Sequence, residues 1–155
     1  MKFEGNIKIR ETQASDESRW RELWEGYNRF YKREPSNPVT THLWRRLMSP
    51  TTPVYSILAE NEKGLVVGIS NYLLHENTST LSPVCYLQDI FVDPEFRGHG
   101  TGRKMIDWLL LQTKKQKWAR LYWHTSEGNY RARGLYDKFT PHSGFLLYTI
   151  KNLEL

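Results

Sequence analysis

The stretch Arg97-Gly98-His99-Gly100-Thr101-Gly102-Arg103-Lys104 sets three alternate glycines among basic side chains. Without Cβ atoms, the backbone N–H groups of such a turn approach a ligand closely, and a helix starting there adds unpaired donors and the positive end of its dipole. That combination suits a pyrophosphate. Arg97, Arg103 and Lys104 add charge, and a guanidinium can pair with two phosphate oxygens at once. Spacing separates the known phosphate-binding signatures. A Walker loop needs Gly-Lys-Ser or Gly-Lys-Thr, which is absent. The dinucleotide fingerprint needs glycine at position 103 and an acid about 20 residues further on, where the chain has Arg103 and then Leu121-Tyr122-Trp123. A tight turn with solvated basic side chains is the competing, purely structural reading.

Other reactive side chains point to less. The histidines, at 42, 75, 99, 124 and 142, contain no pair at i,i+3 or i,i+4, so no metal site is expected. The single cysteine, Cys85, excludes an internal disulfide and a multi-cysteine zinc site, and its strand context suits packing rather than nucleophilic attack. Lys114, Lys115 and Lys117 suit a helix C-terminus. Twenty-two Lys and Arg against seventeen Asp and Glu give +5, which favours anionic partners without choosing among them. No run approaches the roughly 20 apolar residues of a membrane helix. The start, Met1 to Asn6, lacks the apolar stretch of a signal peptide, so a cytoplasmic location is expected.

The elements that must position the glycine turn follow from periodicity. With 155 residues, residues 1–155 are expected to form a single domain. Ile7 to Arg10 reads as a short strand, and Ser15-Asp16-Glu17 as a helix start with a side-chain cap. Trp20, Leu23, Trp24, Tyr27 and Tyr31 recur on one helical stripe, with Glu17 and Arg21 as an i,i+4 pair beside it. Val39 to Met48 reads as a second helix. Val54 to Ala59 and Leu65 to Leu74 read as a hairpin about Asn61-Glu62-Lys63-Gly64, and Val84 to Val92 as a third run closed by Asp93-Pro94. A helix then runs to about Lys117, followed by a strand at Leu121 to His124, a helix at Asn129 to Phe139 and a last strand at Phe145 to Ile150. The fold class is α/β, or α+β: a mixed, mostly antiparallel sheet of about six or seven strands flanked by about four helices.

Tyr86 through Gly102, reading YLQDIFVDPEFRGHGTG, resembles the cofactor-binding strand, turn and helix start of the GCN5-related N-acetyltransferases (GNAT superfamily), whose pattern is Arg/Gln-x-x-Gly-x-Gly/Ala. Asn129, Ala132 and Tyr136 resemble the family's later helix. The resemblance is strong over about residues 84 to 150. Within the family it is nearest to the diamine and the histone-and-polyamine acetyltransferase groups. It implies that acetyl-CoA is the co-substrate, without a metal. The backbone of Ile90, Phe91 and Val92 would pair with the pantetheine arm, Gly98, His99, Gly100, Thr101, Gly102 and Arg103 would hold the pyrophosphate, and Asn129 and Ala132 would face the arm. Tyr136 would be the general acid that protonates the departing thiolate. The resemblance also implies that a homodimer is possible, with Phe145 to Ile150 pairing or swapping across it.

The acceptor would be a primary amine, on a small molecule or on a protein or peptide. Trp24, Tyr27, Gln88 and Trp123 are the candidate walls of its site. The diamine acetyltransferases carry a Glu at the position of Gln88; an amide accepts no proton, so that role does not carry over. Asp89 and Glu127 are the nearby carboxylates. Lys32-Arg33-Glu34 stands where polyamine binders are acidic, which disfavours a polycationic acceptor. The alternative from another class is a module that binds a CoA-like ligand or nucleic acid without turnover; nucleic acid is not expected as a partner, nor is a membrane.

Overall fold

The structure, a computed structural model, describes residues 5–153. The chain divides into two compact units, Met1–His124 and Thr125–Leu155. The first contains β1 (Lys8–Glu11), a 3-10 turn (Ala14–Asp16), α1 (Glu17–Phe30), α2 (Asn37–Leu47), β2 (Val54–Glu60), β3 (Val66–His75), β4 (Val84–Val92), a second 3-10 turn (Pro94–Phe96), α3 (Thr101–Lys115) and β5 (Leu121–Tyr122). The sheet runs in the order β1-β2-β3-β4-β5, antiparallel except for β5, which lies parallel to β4 after the α3 crossover.

The α1 stripe is buried as its spacing demands. Trp20 is 0% exposed and stacks on Trp24 at 5.6 Å between ring centroids, and Trp24 stacks on Tyr27 at 5.4 Å. With Leu43 and Trp44 of α2 these rings meet Leu58, Ile69 and Phe91 on one face of the sheet. Each fully buried large side chain contributes about 3 kcal/mol relative to exposure. Along each strand the alternate positions turn to α3: a Cβ built on Gly68 would lie 3.2 Å from the Met105 methyl and 3.4 Å from the Ala59 Cβ. The hairpin turn forms where expected, with Asn61 Oδ1 accepting from the N–H groups of Lys63 and Leu65, and Gly64 at φ +77.

Two local expectations are corrected. Ser15 does not cap α1; the helix follows a 3-10 turn in which Asp16 Oδ2 accepts from Gln13 N–H at 2.7 Å. The same carboxylate takes both terminal nitrogens of Arg10 at 2.8 and 2.9 Å, and that pairing fixes Asp16 as the turn's anchor. Glu17 and Arg21 do pair, at 2.9 Å. The sheet has five strands, not six or seven. Phe145 to Ile150 adopts no strand: a strand needs a hydrogen-bonded neighbour, and among the described residues this segment has no ladder partner. Phe145 is 91% exposed and Ile150 99%. In the second unit the regular element is α4 (Tyr130–Tyr136), shorter than the expected Asn129 to Phe139.

Candidate active site

β4 is the strand from which the site is built. It pairs with β3 along its length, but with β5 only at Cys85↔Leu121 and Tyr86↔Tyr122. Beyond Tyr86 the two strands part, and the β5-facing backbone edge of Leu87 to Val92, including Ile90, Phe91 and Val92, has no ladder partner among the described strands. A bulge sits at the parting point. The register steps from Tyr72↔Leu87 to Asn71↔Asp89, so Gln88 has no opposite residue and its side chain is exposed, while Asp89 beside it is buried.

The strand then leads into the glycine turn. Asp93 Oδ1 caps the 3-10 turn through Glu95 N–H, Gly98 and Gly100 take φ +85 and +75, and α3 starts at Thr101. Those two conformations demand glycine, and a Cβ on either would meet nothing within 4 Å, so the glycines leave open space above the turn. The first helical hydrogen bond is Lys104 N–H to Gly100 O at 3.0 Å, which leaves the N–H groups of Thr101, Gly102 and Arg103 without intrahelical acceptors. No acidic residue lies in the first turn of α3. An anion is therefore met by donors and by the positive end of the dipole. Thr101 is buried and His99 is exposed. Arg103 Nε lies 3.8 Å from Asp107. Arg97 Nε donates to Val92 O at 2.9 Å, and its guanidinium covers Phe91 and Phe30, lining a cleft of about 380 Å³ between α1 and the turn.

On the α1 side of β4 the candidate acceptor residues separate. Trp24 belongs to the core, between Trp20 and Tyr27. Tyr27 is equally buried, but its hydroxyl bonds both Asp89 and Arg33. Burial drives the Asp89 carboxyl above its usual range, against the opposing hydrogen bonds from Tyr27 and Asn71 and the charge of Arg33. Burial, reinforced by the Asp89 charge, likewise raises the Tyr27 phenol. Asn71 Nδ2 donates to Asp89 Oδ2 at 3.1 Å, and Asn71 Oδ1 is buried without a donor. Across the sheet, Tyr86 and Tyr122 stack at 5.0 Å, with His124 Nδ1 3.3 Å from Tyr86 Oη and His75 Nε2 2.7 Å from Tyr122 Oη. Trp123 follows β5 and is half-buried. Asn71 and Tyr86 are the residues that pattern reading missed; a lone Asn inside the apolar run Val66 to Leu73 was the available signal for the first.

In the second unit Asn129 Oδ1 caps α4 by accepting from Ala132 N–H at 3.3 Å, Arg133 donates to Glu127 O at 2.7 Å, and Tyr136 ends the helix half-buried. Among the described residues no three His, Cys, Asp or Glu side chains are grouped to hold a metal, and no helix is long and apolar enough to cross a membrane.

Known proteins resemble this chain in sequence and in fold. Residues 18–140 match the sequence model of the acetyltransferase (GNAT) family. The chain is 30% identical over 143 residues to the D-amino-acid N-acetyltransferase HPA3 of Saccharomyces cerevisiae, a match covering 92% of this chain and 89% of that protein. Its fold superposes on a ribosomal-protein-alanine N-acetyltransferase from Brucella melitensis biovar Abortus with a TM-score of 0.80 at 18% identity, over 95% of this chain and 100% of the other. An aminoglycoside N-acetyltransferase in complex with CoA gives a TM-score of 0.77 at 18% identity, over 96% of each chain.

Proposed function

This chain belongs to the acetyltransferase (GNAT) family and is an N-acetyltransferase, and on that premise we propose that it moves an acetyl group directly from acetyl-CoA to a primary amine, with Tyr136 as the general acid. The observation that carries the reading is the open edge of β4 beyond Tyr86 running into a turn whose glycines leave room for a ligand. An amide-bearing chain laid along that edge finds backbone partners at Ile90, Phe91 and Val92, as an added strand would. Gly98 to Arg103 then face its pyrophosphate with main-chain N–H groups. When bound, acetyl-CoA supplies an acyl group activated as a thioester. We read residues 1–155 as one domain, a reading supported by a family match that runs from residue 18 to residue 140.

The chemistry asks two proton transfers of the protein. An alkylammonium with a pKa near ~10 is about one part in a thousand neutral at pH 7, a cost of roughly 4 kcal/mol before attack. Gln88 accepts no proton. At the other end a thiolate departs, and Tyr136 Oη is the donor we assign to it. The yeast relative is named for action on D-amino acids, which supports a small amine over a protein amine. Use of acetyl-CoA and a reduced Cys85 fit a cytoplasmic enzyme. We also infer a homodimer in which the apolar segment Phe145 to Ile150 is covered by a second copy; the solution mass tests this, and a monomer at micromolar concentration rules it out.

The primary test is a calorimetric titration with acetyl-CoA beside CoA, NADH and ATP at one salt concentration. Binding confined to the CoA pair is expected, and equal binding of all four refutes the assignment of the turn. Tyr136→Phe should retain acetyl-CoA affinity and lose at least roughly tenfold in kcat. Unchanged turnover across several amines removes Tyr136 as the acid.

A further inference from the structure

Two arginines reach across the cleft between α1 and the glycine turn, in opposite directions. Arg97 extends from the turn and lies 5.8 Å from the Phe30 ring centroid of α1. Arg19 extends from the first turn of α1 to the residue that follows β4, where Nη2 donates to Asp93 Oδ2 at 2.7 Å. The other nitrogens of Arg19 are engaged as well: Nε donates to Val66 O of β3 at 3.0 Å and Nη1 to Glu22 at 2.8 Å. Acceptors on α1, on β3 and just past β4 thus fix the plane of one rigid fork. Two carboxylates offset its charge, which argues against direct capture of a phosphate by Arg19.

Asp93 is where the strand becomes the turn, and it is held on every side. Its N–H donates to Val67 O at 2.9 Å, its carbonyl accepts from Phe96 N–H at 2.8 Å, and Oδ1 accepts from Glu95 N–H at 3.1 Å. Those bonds hold it within the sheet and the 3-10 turn; the bond from Arg19 alone ties it to α1. The pair is partly shielded, with the Arg19 side chain 28% exposed and that of Asp93 18%, which strengthens it over an open surface pair. From Asp93 to Gly98 the chain passes through Pro94–Phe96, a 3-10 turn with proline at its first position and so a stiff connection. The helix at the other end is a fixed support. A Cβ on Gly26 would lie 3.0 Å from the Phe91 ring, so α1 has no room to move closer to β4. We propose that Arg19 is a positioning residue for the co-substrate: through Asp93 it sets where the glycine turn presents its N–H groups to the pyrophosphate. This rests on the acetyl-CoA reading of that turn.

Calorimetric titration with acetyl-CoA tests it, because affinity and stoichiometry separate the two roles an ion pair can have. A purely structural loss lowers the fraction of sites that titrate and leaves Kd alone, whereas a displaced turn raises Kd at unchanged stoichiometry. Arg19→Met should raise Kd by roughly 3- to 30-fold, the range for coupled neighbouring groups, at the parent stoichiometry. Arg19→Lys should recover part of the loss, since an ammonium cannot span all the acceptors of the fork. Asp93→Asn, which keeps the Oδ1 acceptor for Glu95, should raise Kd at least as much as Arg19→Met, and the double variant no further. Arg21→Met, which breaks the Glu17 pair on the same helix at similar exposure, should leave Kd unchanged. If Arg19→Met does not fold, Arg19→Lys and Asp93→Asn carry the same test. Unchanged Kd in the Arg19 and Asp93 variants, an equal rise in Arg21→Met, or fully additive losses in the double variant overturns the inference while the parent still binds acetyl-CoA. No binding of acetyl-CoA by the parent protein overturns the reading of the turn and the inference with it.

Discussion

Gly100 and Gly64 allow the ligand-binding part of the glycine turn to be separated from its backbone strain. Their φ values are +75 and +77, and a Cβ on either meets nothing within 4 Å. Replacement by alanine therefore adds no clash at either site, only the cost of holding an L-residue in the left-handed region, about 1 kcal/mol. For a chain of this length that lowers Tm by roughly 2–4 °C, and by the same amount in both variants. Their ligand effects should differ. Gly64 closes the β2–β3 hairpin, whereas Gly100 precedes the first turn of α3, on the side where the proposed phosphate would lie and a Cβ would intrude. Loss of one charged hydrogen bond there is worth about 1.5–3 kcal/mol, or roughly 10- to 100-fold in Kd for acetyl-CoA. Parallel thermal melts and calorimetric titrations of Gly64→Ala, Gly100→Ala and the parent protein measure both quantities. Matched melting shifts with weakened binding confined to Gly100→Ala are expected. Unchanged acetyl-CoA affinity in Gly100→Ala would refute the phosphate assignment, and equal affinity losses in the two variants would show that strain alone acts.

Three further outcomes follow from buried or paired titratable groups. Cys85 is fully buried and burial pushes its thiol up to about 12, so a thiol reagent at pH 8 should label it only after denaturant is added. The Asp16 carboxyl lies below its usual range, first through its hydrogen bond to Arg10, so its stabilisation is present above about pH 4 and is lost as the pH falls through that lowered value. Asp16→Asn should then be about 1–2 kcal/mol less stable in urea melts at pH 7, with the difference closing in acid. Asp89 has the opposite sign: its carboxyl is raised by burial, so the folded protein binds the proton more tightly and stability falls as pH rises from the ordinary aspartate range through the raised value. Asp89→Asn should be at least as stable as the parent at pH 7, and a large loss of Tm would mark Asp89 as a structural tether.

What was legible in the sequence was whatever a local pattern encodes. The stripe from Trp20 to Tyr27 gave α1, the Asn61–Gly64 turn gave the hairpin, and alternate glycines after an apolar run gave the strand, turn and helix of the ligand-binding element. Features set by partners distant in sequence were not legible. Asp16 anchors its turn because Arg10 reaches it and Glu60, 50 residues away from Arg10, holds that guanidinium. Phe145 to Ile150 has the composition of a strand but no ladder neighbour, and composition says nothing of neighbours. At the site, spacing identified Tyr27 as part of a stripe without showing that its hydroxyl leaves the core to meet Asp89. At β4 the bulge that makes Gln88 the extra residue, exposed beside the buried Asp89, is visible only in the register with β3.

That bulge lies where the edge of β4 opens. A regular ladder through residue 88 would keep β4 flat, whereas one added residue increases the local twist and bends the strand. It occurs at Gln88, between Leu87 and Asp89, two residues past the last pair with β5. The same local irregularity thus accompanies the opening of the strand edge on one side and the placing of a carboxylate beneath α1 on the other. Ionising Asp89 there opposes folding, and Asn71 Oδ1 goes without a donor beside it. Ser70 Oγ, the neighbour of Asn71 in β3, is likewise buried without a partner, so the polar cost falls on the stretch of β3 that faces the bulge rather than on one side chain.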